Sequence, residues 1–435
     1  MTKKQFIGSI DQGTTSTRFV IFDQDGRVIT YHQKEFEQHY LHPGWVEHDP
    51  HDILASVDTC IEHAIRKLSL LGYEASTVSC IGITNQRETT VAWDSETGQP
   101  LCPAIVWSDG RTSNTVKELA SQKHLPKEKQ TANALKDICG LPLATYFSAV
   151  KLRWMLDHVP EVREAHEQNR LQFGTIDTWL IYINSCTDSL TMDRFFRFEG
   201  IKLAKIVPSS YEYGKIHSGS LKGVPITGCL GDQQSALTGQ KCFHVGDVKN
   251  TYGTGCFMLF NTGETPVYSQ NGLLTTVAYQ FGKDKPVYAL EGSIAVAGSS
   301  IQWLRNNMGI IDNSKDIGTL ADSNSPLRSL KVDGGMSNSD VCMQIQADIL
   351  NIEVERPEMR ETTALGAAIA AGLATGMWKS IEDLNDVNVD GDTVFKPKIS
   401  EEERNKMYTG WKEAITRSLG WADIVSEITG SDKDC

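Results

Sequence analysis

The sequence predicts an α/β protein built from two duplicated domains around a central cleft. The chain has 435 residues, more than one hydrophobic core usually organises, so two domains are expected. Strand-forming runs and helical apolar patterns both occur, and a strand–turn–strand unit at the start is repeated near residue 240. We therefore predict one domain over residues 1–241 and a second over residues 242–435.

The elements of the first half follow from local patterns. Residues 6–10, 18–23 and 27–30 are β-rich runs joined by turn residues, which predicts three consecutive antiparallel strands. Residues 51–71 carry apolar side chains every three to four positions and are predicted to form a helix. A buried strand is expected over residues 78–83.

The second half begins with a similar unit. Residues 247–252 and 256–261 are strand-like and flank a Gly-Thr-Gly turn, which indicates an internal duplication. The remaining predicted elements are a strand over 330–332 and helices over 340–350, 362–375 and 401–418. The helix over 362–375 is rich in Ala and Gly, so we expect it to pack closely against its neighbours.

Charge and cysteine usage argue against several functional classes. The net charge of −13 argues against a nucleic-acid partner, because phosphate-backbone binding needs clustered Lys and Arg. The ten cysteines include no CxxC pair and no signal-peptide pattern precedes them, so we expect a cytoplasmic protein with free thiols. No apolar run is long enough for a membrane span.

Two glycine- and hydroxyl-rich turns are candidate phosphate sites. Residues 11–18 place Asp11 at a strand end, followed by small hydroxyl residues and then Arg18. Such a turn can aim backbone N–H groups at phosphate while the carboxylate holds metal-bound water, although a polar hairpin loop is the alternative interpretation. Residues 250–255 form a second such turn, and the Gly pair after Asp333 lets a nucleotide lie against the backbone.

Asp232 is the candidate catalytic base. It follows the apolar run 224–230, at the predicted C-terminal end of a strand. A carboxylate there can accept the proton of an attacking hydroxyl, whereas the alternative interpretation is a helix N-cap. Arg87 and Glu88 end another strand as an adjacent cation and anion, a pair that can bind neighbouring hydroxyls of a polyol.

The chain resembles the glycerol kinases of the FGGY carbohydrate-kinase family. The resemblance runs through most of the chain and includes the segments Gly-Trp-Val-Glu-His-Asp-Pro at 44–50, Ile-Thr-Asn-Gln-Arg-Glu-Thr at 83–89 and Gly-Thr-Ile-Asp-Thr-Trp-Leu at 174–180. Residues 146–154 are similar to the first of the two family signatures. The resemblance implies the actin-like, ribonuclease H-like ATPase fold for both domains.

The resemblance also implies a reaction and its site residues. It implies in-line phosphoryl transfer from Mg-ATP to glycerol, giving glycerol 3-phosphate, with Asp232 as base and Asp11 and Asp232 at the metal. Glycerol would contact Arg87, Glu88, Tyr146, Asp232 and Gln233, with Trp107 and Phe257 as an apolar wall. The nucleotide would contact Thr14, Thr15, Ser16 and Arg18 from one side and Thr254, Gly298, Gln302, Gly335 and Ser339 from the other.

The chain departs from the family pattern in three places. Ser339 stands where many relatives have Asn. The segment 183–196 is shorter than the corresponding segment of the family. At residues 321–329 the chain lacks several dozen residues that the family has, including its second signature. Two other hypotheses therefore stay open within the family, a kinase for another polyol or sugar and an inactive shortened product.

A third alternative is an actin-like, nucleotide-dependent binding protein without a small acceptor. It leaves Arg87, Glu88 and Asp232 without a role. The sequence also leaves open whether the protein forms a homo-oligomer.

Overall fold

The computed structural model describes residues 4–121, 131, 133, 135, 136, 140–185, 205–253, 255–269, 273–294, 329–389 and 391–418. The strands are β1 (Phe6–Gln12), β2 (Ser16–Phe22), β3 (Val28–Glu35), β4 (Glu47–His48), β5 (Val78–Asn85), β6 (Thr90–Asp94), β7 (Ala104–Ile105), β8 (Leu171–Thr175), β9 (Ser210–Lys215), β10 (Pro225–Gly231), β11 (Val248–Tyr252), β12 (Cys256–Gly263), β13 (Leu274–Tyr279), β14 (Val287–Ile294), β15 (Ser329–Asp333), β16 (Glu353–Arg356) and β17 (Thr393–Phe395). The α-helices are α1 (Pro50–Leu70), α2 (Ser113–Ala120), α3 (Ser148–His158), α4 (Pro160–Glu167), α5 (Ile176–Ser185), α6 (Asp232–Gly239), α7 (Asp340–Leu350), α8 (Thr362–Thr375) and α9 (Glu401–Ser418). Short 3₁₀ helices cover Ala75–Thr77, Gly335–Asn338 and Glu382–Asp386.

Two large sheets repeat one arrangement. The first has the order β3-β2-β1-β5-β10-β9 and the second has the order β13-β14-β12-β11-β15-β16-β17. In each, an antiparallel three-strand run (β3-β2-β1 or β14-β12-β11) continues into two parallel strands (β5-β10 or β15-β16). This repeat confirms the predicted α/β fold and its internal duplication. A third sheet, β4-β7-β6-β8, lies between β3 and β9 in the chain and was not predicted.

Helix α1 covers one face of the first sheet. It begins after Asp49, whose carboxylate accepts a hydrogen bond from the backbone N–H of His51, and Pro50 occupies its first turn. Its apolar stripe, including Ile53 and Leu68, packs with Phe19 and other sheet residues in one buried cluster. The predicted helix over 51–71 is therefore confirmed.

Helix α8 covers the opposite face of the first sheet, although it comes after six of the seven strands of the second sheet in the chain. A Cβ atom added to Gly82 on β5 would lie 2.0 Å from the carbonyl oxygen of Ala367, so only glycine permits this approach. The close packing predicted for this Ala- and Gly-rich helix is confirmed.

Helices α6 and α8 cross at glycines. An added Cβ on Gly239 or Gly366 would lie 1.8 Å from the backbone oxygen of Thr362 or Ser235, respectively. Helix α6 also contacts strands β11, β12 and β13 of the second sheet. The two helices thus pack each half of the chain against the other, and the domain boundary at 241/242 stays a prediction.

Candidate active site

A cavity of about 430 Å³ lies between the strand ends of the two sheets. Its walls include the turn after β1, Arg87 after β5, the start of α6, the turn after β11 and the turn after β15. The lining residues are Asp11, Gly13, Thr14, Arg18, Arg87, Trp107, Tyr146, Asp232, Gln233, Thr251, Gly253, Gly255, Phe257, Asp333, Gly334, Gly335, Asn338, Arg360, Glu361 and Thr363. Ligand sites of α/β proteins are common at the carboxyl ends of parallel strands.

Asp232 is the first residue of α6, directly after β10, and Gly231 occupies the N-cap position. Its Oδ1 accepts a hydrogen bond from the backbone N–H of Gln233 at 2.9 Å, and its Oδ2 accepts one from the side-chain Nε2 of Gln233 at 3.1 Å. These bonds fix the carboxylate on the cavity wall with lone pairs left for a further donor. The position suits a general base.

Arg87 reaches the cavity from the end of β5. Its two terminal nitrogens donate to the two carboxylate oxygens of Glu291 on β14, each at 2.7 Å. Its Nε lies 3.2 Å from Oδ1 of Asp232, and its guanidinium lies 5.8 Å from the ring centre of Phe257. A cation and two carboxylates therefore meet at one wall of the cavity.

Three aromatic rings form an apolar wall of the cavity beside Arg87. Trp107 makes edge-to-face contacts with Tyr146 and Phe257, with ring centres 6.1 and 5.7 Å apart. The indole N–H of Trp107 donates to the hydroxyl of Thr14 at 2.9 Å. The apolar wall is thus tied directly to the turn after β1.

Asp11 carries the second cavity carboxylate on β1. Burial raises the pKa of Asp11 from its usual value to about 6, and the nearby Arg18, 3.4 Å away, offsets only part of this effect. A divalent cation beside this buried carboxylate would stabilise its ionised form. No cluster of three or more His, Cys, Asp or Glu that could hold a metal occurs in the described part of the chain.

Asp11 and Asp232 line the same cavity. The two carboxylates fit an Mg²⁺ ion, because Mg²⁺ usually takes one or two carboxylates and completes its shell with water and substrate phosphate.

The turn after β15 closes the other side of the cavity. Gly334 has a φ of +87°, and an added Cβ would lie 2.3 Å from the backbone oxygen of Tyr252, so glycine is required there. Asp333 accepts a hydrogen bond from Thr362 at 2.5 Å, which ties this turn to helix α8. Gly335 and Asn338 line the cavity beside it.

Comparisons with known proteins identify the family. The model of the FGGY family of carbohydrate kinases, N-terminal domain, matches residues 6–195, and that of the C-terminal domain matches residues 248–322 and 315–375. The chain belongs to the FGGY family of carbohydrate kinases. The predicted arrangement of two actin-like, ribonuclease H-like ATPase domains around a cleft is confirmed with it.

Two curated relatives of this FGGY kinase are glycerol kinases. That of Roseiflexus sp. (strain RS-1) is 41% identical and that of Brucella anthropi is 42% identical, each over 96% of this chain and all of the relative. Among solved structures, Plasmodium falciparum glycerol kinase with ADP superposes with a TM-score of 0.81 at 30% identity, covering 96% of this chain and 98% of that one.

The comparisons also bear on the shortened segments. Both curated alignments span 508 positions, more than the 435 residues of this chain, so these relatives carry internal residues that this FGGY kinase lacks. The C-terminal family match is in two pieces that meet near residue 320, close to the predicted gap. Residues 186–204 and 295–328 lie outside the described part of the chain.

The structure brings most predicted site residues to one cavity. Those that line it are Asp11, Thr14, Arg18, Arg87, Trp107, Tyr146, Asp232, Gln233, Phe257 and Gly335. Thr254, Gly298 and Gln302 lie outside the described residues. Four others are described but do not line the cavity: Thr15, Ser16, Glu88 and Ser339.

Two of these four have clear local roles. Oε2 of Glu88 accepts hydrogen bonds from the backbone N–H of Ser148 at 2.7 Å and from its hydroxyl at 2.5 Å, which anchors the start of α3. The hydroxyl of Ser339 accepts from the backbone N–H of Cys342 at 3.3 Å and caps α7. Their roles in binding stay predictions.

Sequence reasoning missed two buried lysines. Nζ of Lys249 on β11 donates to Oε1 of Gln233 at 2.5 Å, and Nζ of Lys151 on α3 donates to the backbone oxygens of Thr145 and Tyr146. Burial lowers the pKa of each lysine to about 8. A lysine inside a strand or helix gives no local sign of burial, so only the three-dimensional partners reveal these roles.

Proposed function

We propose that this chain transfers the γ-phosphoryl group of ATP to a terminal hydroxyl of glycerol and produces glycerol 3-phosphate. The observation that carries the proposal is the shared cavity, which places Asp232 and Arg87 next to an aromatic wall and next to the turn after β1. The similarity to two curated glycerol kinases and to the structure of Plasmodium falciparum glycerol kinase with ADP supports the same substrates.

In the proposed reaction, Asp232 accepts the proton of the attacking hydroxyl while that oxygen forms its bond to the γ-phosphorus. The bond from the γ-phosphorus to the β–γ bridging oxygen breaks at the same time, and ADP leaves. Arg87 and Gln233 bind the polyol hydroxyls, and Trp107, Tyr146 and Phe257 cover its carbon chain. Glu88 is proposed as a further polyol contact.

The nucleotide is proposed to lie between the two sheets. Its phosphates would meet the turn after β1 through Thr14, Thr15, Ser16 and Arg18, and its sugar and base would lie against the second half at Thr254, Gly298, Gln302, Gly335 and Ser339. A bound Mg²⁺, held by Asp11 and Asp232, would neutralise the charge of the transferred phosphoryl group.

Closure of the cavity would exclude water from the proposed reaction. The cavity lies between two sheets joined by the crossing helices α6 and α8, so a small rotation of one half would close it over the substrates. A cytoplasmic location stays a prediction, and oligomeric state stays open. Among the described residues, no helix is both long and apolar enough to cross a membrane.

The test is an ADP-release assay with Mg-ATP and a panel of polyols and sugars at matched concentration. We expect glycerol to give the fastest release and EDTA to abolish it. Faster turnover of a hexose or a pentulose would reassign the substrate.

Absence of turnover with every acceptor, together with an early thermal melt, would favour the inactive shortened product. A chain that carries a relative's residues between Leu320 and Leu330 is the matched comparison. Recovery of turnover in that chain would show that the missing residues, and not the site, limit activity.

A further inference from the structure

Arg87 is held at the cavity by a residue of the second sheet. Glu291 lies on β14, opposite Leu259 of β12 and Leu274 of β13, so strands on both sides fix its position. Its two carboxylate oxygens accept from the two terminal nitrogens of Arg87, each at 2.7 Å. Only 3% of the Glu291 side chain and 14% of the Arg87 side chain are exposed, so solvent screens this pair weakly.

The stem of Arg87 is held as closely as its charged end. Its Cγ and Cδ atoms lie 2.6 Å from the position where a Cβ on Gly231 would be, so the absence of a side chain at 231 makes room for them. The guanidinium also lies over the ring of Phe257. Arg87 is therefore oriented from three sides, and Glu291 supplies the only bidentate partner among the described residues.

Asp232 competes for the same cation. The Nε atom of Arg87 lies 3.2 Å from Oδ1 of Asp232, yet Nε is buried and its N–H is not aimed to form a hydrogen bond with that oxygen. A guanidinium that turned its terminal nitrogens to Asp232 would occupy both carboxylate oxygens. Gln233 already donates one hydrogen bond to each of these oxygens, so the attacking hydroxyl would then have no free lone pair on the base.

We propose that Glu291 is a positioning residue for phosphoryl transfer, because it holds the terminal nitrogens of Arg87 away from Asp232 and leaves that carboxylate open to the substrate hydroxyl. This inference rests on the proposed function, in which Asp232 is the base. It gives the second sheet a role in acceptor geometry and not only in nucleotide binding.

The main test compares Glu291→Gln with the parent. The amide keeps the shape but loses the charge and one acceptor, so Arg87 is expected to turn to Asp232. We expect kcat to fall about 10- to 100-fold and KM for glycerol to rise, with KM for ATP changed less than about twofold. Glu47→Gln is the matched control, because Glu47 is also a buried glutamate bound to an arginine, Arg111, but does not line the cavity.

A second variant separates positioning from folding. In Arg87→Met/Glu291→Gln no buried arginine remains to block Asp232, so kcat at saturating glycerol is expected to exceed that of Glu291→Gln although KM stays high. A purely structural role predicts no such recovery. If Glu291→Gln does not fold, Glu291→Asp keeps the charge and is expected to lower kcat about 3- to 10-fold.

Crystal structures of the parent and of Glu291→Gln give a readout that needs no turnover. If Arg87 binds both oxygens of Asp232 in the variant, the inference is supported whether or not the parent phosphorylates a polyol. A parent that phosphorylates no polyol would overturn only the proposed function. The inference would be overturned if the parent is active and kcat is unchanged in Glu291→Gln and Glu291→Asp. It would also be overturned if Arg87 keeps its position in the crystal structure of Glu291→Gln.

Discussion

The two large sheets share one arrangement of five strands but carry different chemistry. The order β3-β2-β1-β5-β10 in the first matches β14-β12-β11-β15-β16 in the second, with the same alternation of antiparallel and parallel neighbours. The first turn holds Asp11 and Arg18, whereas Thr251, Gly253 and Gly255 are the described residues that line the cavity from the second. A duplicated backbone therefore does not imply duplicated side chains.

Charged groups of both halves line the cavity. They are Asp11, Arg18, Arg87 and Asp232 from the first half and Asp333, Arg360 and Glu361 from the second. Lys249 and Glu291 of the second half are buried and contact Gln233 and Arg87 of the first. In the proposed reaction the first half supplies the base, and these two buried side chains of the second half hold the residues around it.

The largest expected effect is at Asp232. Asp232→Asn keeps the shape of the side chain but removes the oxygen that accepts the proton, so kcat should fall roughly 10²-fold or more. Steady-state kinetics at saturating ATP would measure it, with glycerol KM changed far less.

Asp247→Asn is the control in the second half, because Asp247 precedes β11 and does not line the cavity. Equal turnover of Asp232→Asn and the parent would remove Asp232 from the mechanism. It would also end the assignment of the base to the first half.

The packing that joins the two halves gives the next effect. Gly82→Ala would place a methyl group 2.0 Å from the carbonyl oxygen of Ala367, so β5 and α8 would have to separate. Because the clash is with backbone, we expect a loss of about 3 kcal/mol in the free energy of unfolding, at the upper end of overpacking effects. Urea denaturation would measure it.

Gly410 in α9 is the matched control, since an added Cβ there meets nothing within 4 Å. Gly410→Ala should be neutral or stabilising by up to about 1 kcal/mol. Similar stabilities for the two variants would mean that α8 is not packed as closely as the structure shows.

Each half contains a buried lysine that should affect how the free energy of unfolding depends on pH. Lys151 and Lys249 have pKa values of about 8, below the usual 10.5 of lysine. Between these values the unfolded chain binds a proton that the folded chain does not, so each lysine makes the free energy of unfolding rise by about 1.4 kcal/mol per pH unit. Lys151→Met and Lys249→Met should each lose this slope between about pH 8 and 10.

The internal control is the range from pH 6 to 7.5. Both lysines are mainly protonated there in the folded and unfolded chains, so the difference between parent and variant should stay nearly constant. A slope lost only in Lys249→Met would show that the pKa of Lys151 is not lowered in the folded chain.

The sequence could predict residues that belong to a local pattern, but not residues whose role depends on distant partners. The duplicated strand units and helix α8 follow from local periodicity and composition, and Asp11 and Asp232 follow from a carboxylate placed at a strand end. Glu291 and Lys249 lie within strands, where a charge usually indicates a solvated position. Their role depends on partners in the other half of the chain, which local pattern does not encode.

The third sheet shows the same limit. Its strands β4 and β7 have two residues each, too short for any alternation of apolar and polar side chains to appear. The small strands nevertheless matter, because Trp107 lies two residues after the end of β7 and lines the cavity.

The smallest expected effect concerns Ser339, for which two roles predict different results. As the N-cap of α7, its hydroxyl accepts from the backbone N–H of Cys342, so Ser339→Ala should cost about 1 kcal/mol while Ser339→Asn costs only a few tenths. As a nucleotide contact, it should instead affect KM for ATP. We expect the stability loss with KM changed less than about twofold, and a larger rise in KM for Asn338→Ala, because Asn338 lines the cavity. Unchanged stability with a raised KM in Ser339→Ala would place Ser339 at the nucleotide and extend the binding surface of the second half by one residue.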